Sequence, residues 1–281
     1  MTKARREMAS IIPSQDVMIE VLDARLPHGS SNPMIAELRG EKPVIKVLTK
    51  ADLADPIATK AWIAWLESEP GVRAFASTVN DPAAARKTLA LLTRNLAQHR
   101  GPDKPVRALI AGCPNVGKST LLNSLMNRQV AKTSDRPAVT KEQQTAALAN
   151  GMTITDTPGL MWPKIEQEPR AFRLALAGSI PDTALDYLTI GLFAAEIFLA
   201  MYPALVVARY KLAAVPASPQ ELLEQVGRRR GALRRGGVID LHVAAELLVH
   251  EFRAGTIGRI TLEQPPADTL PLSPEGCAPT L

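Results

Sequence analysis

Residues 112–119 of this chain are Gly-Cys-Pro-Asn-Val-Gly-Lys-Ser. Glycine, four free positions and then Gly-Lys-Ser leave little choice of fold, because the pattern needs a strand running in and a helix running out. The flanks supply both. Val106-Arg-Ala-Leu-Ile-Ala precedes Gly112, and Thr120-Leu-Leu-Asn-Ser-Leu-Met follows Ser119. The glycines let backbone N–H groups close around phosphates, and the helix N-terminus adds positive potential. Asn115, Val116, Gly117 and Thr120 would complete the cradle. Lys118 would pair with the β- and γ-phosphates, and Ser119 would ligate Mg²⁺.

Short apolar runs alternate with helical patterns from residue 16 to about residue 160. The strands expected are Asp16–Asp23, Pro43–Thr49, Val72–Ser77, Val106–Gly112 and Met152–Asp156. Helical periodicity falls between them, over Pro56–Glu69, Pro82–His99 and Lys118–Arg128. This alternation argues for a mostly parallel sheet with helices on both faces. After Trp162-Pro163 the strand signal stops, and helices are expected over Pro169–Ala177, Ala184–Met201, Pro219–Gly227 and Asp240–Arg253. Asp240 reads as an N-cap and Gly255 as a C-terminal stop. The expected organisation is an α/β domain over 1–165, an all-α C-terminal domain over 166–262, and a Pro-rich disordered tail over 263–281.

The apolar stretch Leu188–Ala208 is long enough to span a bilayer. Glu196 near its centre and Tyr202-Pro203 favour two core helices that meet near Pro203, with no membrane. Aromatic residues are 4% of the chain, too few for a platform that stacks single-stranded nucleic acid. The net charge of +5 favours an anionic partner. Cys113 and Cys277 lack any metal-ligand or disulfide spacing, which fits a reducing cytoplasmic setting. The charged N-terminus lacks the apolar core of a signal peptide.

Asp156-Thr-Pro-Gly159 ends a strand 44 residues beyond Gly112. An acid there can hold the Mg²⁺ shell, and Gly159 can offer its N–H to the γ-phosphate. Between the two lies Asp135-Arg-Pro-Ala-Val-Thr140, whose threonine is placed to reach Mg²⁺ when the γ-phosphate is present. Thr49-Lys50-Ala51-Asp52 supplies base choice: a carboxylate can accept from guanine N1–H and its exocyclic amine, a donor pair that adenine lacks. Asp52 capping a helix is the plainer alternative, and with it an ATP-dependent enzyme. Ser77-Thr78, after the third strand, can offer a backbone N–H to the guanine oxygen. The base motif lies 60 residues ahead of Gly112, the reverse of the ordinary order, so the fold expected is a circularly permuted P-loop GTPase.

In combination, these motifs resemble the YlqF/RbgA-type ribosome-biogenesis GTPases. Lys3-Ala-Arg-Arg-Glu7, Val21-Leu-Asp-Ala-Arg-Leu-Pro27, Ser31-Asn-Pro33, Asp135-Arg-Pro137 and the late Gly227-Arg-Arg-Arg-Gly231, Phe252-Arg253 and Gly258-Arg-Ile260 segments carry the resemblance together with the P-loop. It implies binding of GTP and GDP, and slow GTP hydrolysis stimulated by a precursor of the large ribosomal subunit and its rRNA. A monomer is the expected state. Leu160 stands where ordinary GTPases carry a water-positioning Gln, so hydrolysis alone should be slow. Asn115 resembles the residue that holds K⁺ against the phosphates in related GTPases; the plainer alternative is that it suits the turn. Family members carry Pro-Gly-His-Met just before the Lys-Ala-Arg-Arg segment. This sequence begins at that methionine, through a short start or true lack of the element, and no general base is assigned. Lys3, Arg5, Arg6, Arg228, Arg229, Arg230, Arg234 and Arg235 are the candidate RNA contacts. A guanine-nucleotide-sensing RNA scaffold with negligible hydrolysis is the alternative function.

Overall fold

The computed structural model describes residues 3–97, 104–126, 144–147, 152–157 and 168–266. Six strands, β1 Val17–Asp23, β2 Val44–Thr49, β3 Val72–Ala76, β4 Arg107–Gly112, β5 Gln144–Ala147 and β6 Thr153–Asp156, form one sheet in the order β3-β2-β1-β4-β6-β5. All neighbours are parallel except β5, which pairs antiparallel to β6 at the edge. β1 and β2 are buried along their whole length, as near-continuous apolar runs demand when both faces are covered.

Alternation along β1 divides the core. Val17, Ile19 and Val21 pack with Leu89 of α5 (Pro82–Leu96) and Leu121 of α6 (Lys118–Met126). Met18 and Leu22 pack on the other face with Met8, Ile35 and Trp62. Those residues belong to α1 (Lys3–Ile11), α3 (Pro33–Arg39) and α4 (Pro56–Glu67). A charged pair interrupts this second face: Glu20 meets its register partner Lys46 at 3.1 Å. Glu20 also accepts from the Asn32 N–H, fixing the residue that caps α3. The four-residue α2 (Pro27–Ser30) follows β1 directly.

The second core is wholly helical. α7 (Glu168–Leu176), α8 (Tyr187–Met201), α9 (Pro203–Tyr210), α10 (Pro219–Arg230) and α11 (Leu241–Arg253) bury Phe198, Leu222, Leu248 and Phe252 among them. Asp240 caps α11 through the His242 and Val243 N–H groups. Among the described residues no single helix is long and apolar enough to cross a membrane. α8 and α9 are bent by 112° where Pro203 restarts the chain, matching the break expected there.

The structure departs from the sequence expectation in several elements. α1, α2, α3 and β5 were not among those expected. α10 runs three residues beyond Gly227, to Arg230. Residues 263–266 do not begin a free tail, because Glu263 accepts from the Gly29 N–H at 2.9 Å and the Trp62 indole donates to its carbonyl at 3.1 Å. The Pro-rich composition hid those contacts. The 165/166 boundary and residues 267–281 lie outside the described residues.

Candidate functional site

Parallel strands place their loops on one edge, and the ends of β1, β2, β4 and β6 meet there. β4 delivers Gly112, where an added Cβ would stand 2.6 Å from the Val21 carbonyl oxygen, so the loop can leave the sheet only at glycine. Asn115 takes a φ of +60°, a left-handed conformation that asparagine tolerates better than most side chains.

The base motif is fastened to this loop from the end of β2. The Thr49 hydroxyl lies against the Leu22 carbonyl at 2.8 Å and against the Val116 carbonyl. The Lys50 ammonium donates to the Asn115 carbonyl at 2.6 Å and to Asp23 at 2.9 Å. The helix that Asp52 was the alternative candidate to cap is capped by Asp55, which accepts from the Ile57 and Ala58 N–H groups. Asp52 is half-buried and does not cap that helix. Ser77 is a correction: its N–H donates to the Leu48 carbonyl at 2.8 Å and is committed to the sheet, so it cannot also face a base oxygen.

Lys118 and Asp156 form the buried ion pair of the site, 3.0 Å apart and 6% and 0% exposed. Burial raises the Asp156 carboxyl above its ordinary range, with Lys118 opposing. Its Oδ2 is buried and has no hydrogen-bond partner among the described residues. Ser119 and Thr120 open α6 next to the pair, half-buried and exposed respectively. No group of three His, Cys, Asp or Glu side chains that could hold a metal occurs among the described residues. A buried, underused carboxylate oxygen near a helix-opening serine fits Mg²⁺, which is usually held by one or two protein oxygens plus phosphates. Thr140, Gly159 and Leu160 lie outside the described residues.

Sequence reasoning missed a second layer. Asp23, at the end of β1, is 1% exposed and holds Arg25 in two bonds of 2.9 and 2.7 Å. Burial alone would raise the Asp23 carboxyl; Arg25 and Lys50 outweigh it and hold it well below the carboxylate range. Arg25 also donates to the Ala177 carbonyl at 3.3 Å and lies 4.9 Å over the Phe252 ring. Arg170 of α7 donates to the carbonyls of His28, Gly29 and Ser31, while Glu263 accepts at the other end of α2. That places a cation at the carbonyl end and an anion at the amide end of a short helix. Asp23-Ala-Arg25 was visible as a motif, but Ala177 and Phe252, which Arg25 meets, lie more than 150 residues away and left no local signal.

The candidate RNA contacts differ in freedom. Arg230 pairs with Glu251 at 2.7 Å and Arg234 with Asp240 at 2.7 Å. Arg5 pairs with Glu37. Arg228 makes a loose 3.7 Å pair with Glu224, Arg229 donates to the Lys211 carbonyl, and Arg6 and Arg235 are exposed. Lys3 opens α1.

A strand–P-loop–helix unit, a base motif bolted to it from an earlier strand, and an acid at the end of the next strand define a circularly permuted P-loop GTPase with an all-α domain. A family model described as 50S ribosome-binding GTPase matches residues 107–185. Ribosome biogenesis GTPase A of Bacillus cereus is 41% identical over 272 residues, 94% of this chain and 92% of its own. That of Priestia megaterium is 38% identical over 281 residues, 97% of each. The solved structure of GNP-bound YlqF from Thermotoga maritima matches with a TM-score of 0.68 at 31% identity, covering 94% of this chain and 98% of that one. The chain belongs to the ribosome biogenesis GTPase A family, and it is a GTPase.

Proposed function

We propose that this protein is an assembly factor for the large ribosomal subunit that binds and hydrolyses GTP, slowly alone and faster on the ribosomal particle. The observation that supports the guanine choice is the pair of contacts from Thr49 and Lys50 to the P-loop backbone, which tie the segment that carries Asp52 to that loop. On nucleotide binding Lys118 exchanges Asp156 for the β- and γ-phosphates. Asp156 and Ser119, joined by Thr140, then hold Mg²⁺, which supplies charge neutralisation at the phosphates. Gly159 offers its N–H to the γ-phosphate. Asn115 is the candidate K⁺ ligand, in the place where other GTPases use a cationic finger.

Partner contact follows from charge. Arg228, Arg229 and Arg235, with Lys3 and Arg6, offer cations to rRNA phosphates, whereas Arg230, Arg234 and Arg5 serve the protein's own acids. The working state is a cytoplasmic monomer that meets a precursor particle when loaded with GTP. GTP hydrolysis measured in KCl with and without large-subunit particles tests this reading. Stimulation by the particle is expected; an unchanged rate would instead favour a nucleotide-sensing scaffold.

A further inference from the structure

The carboxyl end of α7 is crowded by donors from three directions. Arg253 of α11 donates to the carbonyls of Ala175 and Leu176, at 2.9 and 3.1 Å. Arg25 donates to Ala177, and the side-chain amide of Asn115 donates to Gly178 at 3.0 Å. Four successive carbonyls, the negative end of the helix, are thus capped by one helical-domain side chain and two from the GTPase domain.

Gly178 shapes this junction. Its N–H bonds to Ala175 and the Ser179 N–H to Leu174, the two bonds of a Schellman stop, with Gly178 at φ +84°. That conformation turns the Gly178 carbonyl toward the P-loop. A carbonyl can only accept, so the edge of Asn115 that meets it must be the amide nitrogen, and the oxygen lies on the opposite edge of the same planar group. Through that oxygen residue 115 offers an acceptor, the chemistry of a cation ligand. The Asn115 main chain is held as well, by Lys50 at its carbonyl.

We infer that Gly178 is a positioning residue for the P-loop: its carbonyl selects the orientation in which Asn115 offers oxygen to a monovalent cation, so cation binding and the seating of α7 depend on each other. This rests on the assignment of Asn115 as the K⁺ ligand. Partners that orient metal ligands typically account for about 10–100-fold in metal affinity.

The test uses the full chain and a non-hydrolysable GTP analogue, with K⁺ replacing Na⁺ at fixed ionic strength. In the natural protein K⁺ should tighten analogue binding and slow hydrogen exchange at the Gly178 and Ser179 amides. In Gly178→Ala the K⁺ concentration for half-maximal tightening should rise roughly tenfold. A K⁺ response of equal midpoint in Gly178→Ala overturns the positioning role and leaves the cation site standing. No difference between K⁺ and Na⁺ in the natural protein removes the cation site and the inference with it. Should Gly178→Ala fail to fold, the exchange measurement on the natural protein decides: equal exchange at these two amides in K⁺ and Na⁺ overturns the inference.

Discussion

In the proposed function the Asp52 carboxylate decides which base the site takes. Asp52→Asn replaces two acceptor oxygens with one acceptor and one donor. GDP binding should weaken about 100-fold, roughly 2.8 kcal/mol at 1.4 kcal/mol per factor of ten. Xanthosine diphosphate, which carries an oxygen where guanine carries its amine, should bind the variant better than GDP does. Fluorescent-nucleotide titration reads both, and an unchanged GDP affinity would return Asp52 to a structural role. Glu263 gives a pH signature. Burial raises its carboxyl, against the pull of the Gly29 N–H and Arg173. The folded chain therefore holds that proton at pH values where the unfolded chain has lost it, so acidification into the window above 4.5 contributes stability. Glu263→Gln keeps an acceptor for α2 and should flatten that contribution in thermal melts across mildly acid pH.

At the scale of elements, α7 and α2 join the two cores. Arg25 is the buried cation between them, with one guanidinium nitrogen that makes no hydrogen bond among the described residues. Arg25→Met should destabilise the protein by about 3–5 kcal/mol, because Asp23 would keep only Lys50 as a countercharge against its burial. Urea unfolding measures this, and a loss below about 1 kcal/mol would mean that the pair contributes little. These elements also mark where the sequence was legible and where it was not. The P-loop could be read because its glycine spacing and flanking periodicity are local. The bend at Pro203 and the cap at Asp240 were visible for the same reason. The roles of Arg25, Gly178 and Glu263 were not, because each depends on a partner brought near only by the finished fold. Ser77 shows the converse: its motif suggested a base contact, but its N–H was already taken by the sheet.

At the scale of the whole molecule, permutation keeps the strand ends of a GTPase while moving the chain's ends elsewhere. The helical domain consequently touches the nucleotide loop directly, through Asn115 and Gly178. The same domain carries the less tightly held arginines, Arg228, Arg229 and Arg235. Binding to ribosomal particles should weaken steeply with salt, and Arg235→Ala should lower the log–log slope by about one. Arg234→Ala should leave that slope nearly unchanged, since its guanidinium is held by Asp240. In the proposed function, guanine nucleotide controls engagement of a large-subunit precursor. Co-sedimentation of the full chain with precursor particles, with GTP analogue, with GDP and without nucleotide, is the decisive measurement. Co-sedimentation with the GTP analogue and release with GDP are expected; equal recovery in all three conditions would contradict this control.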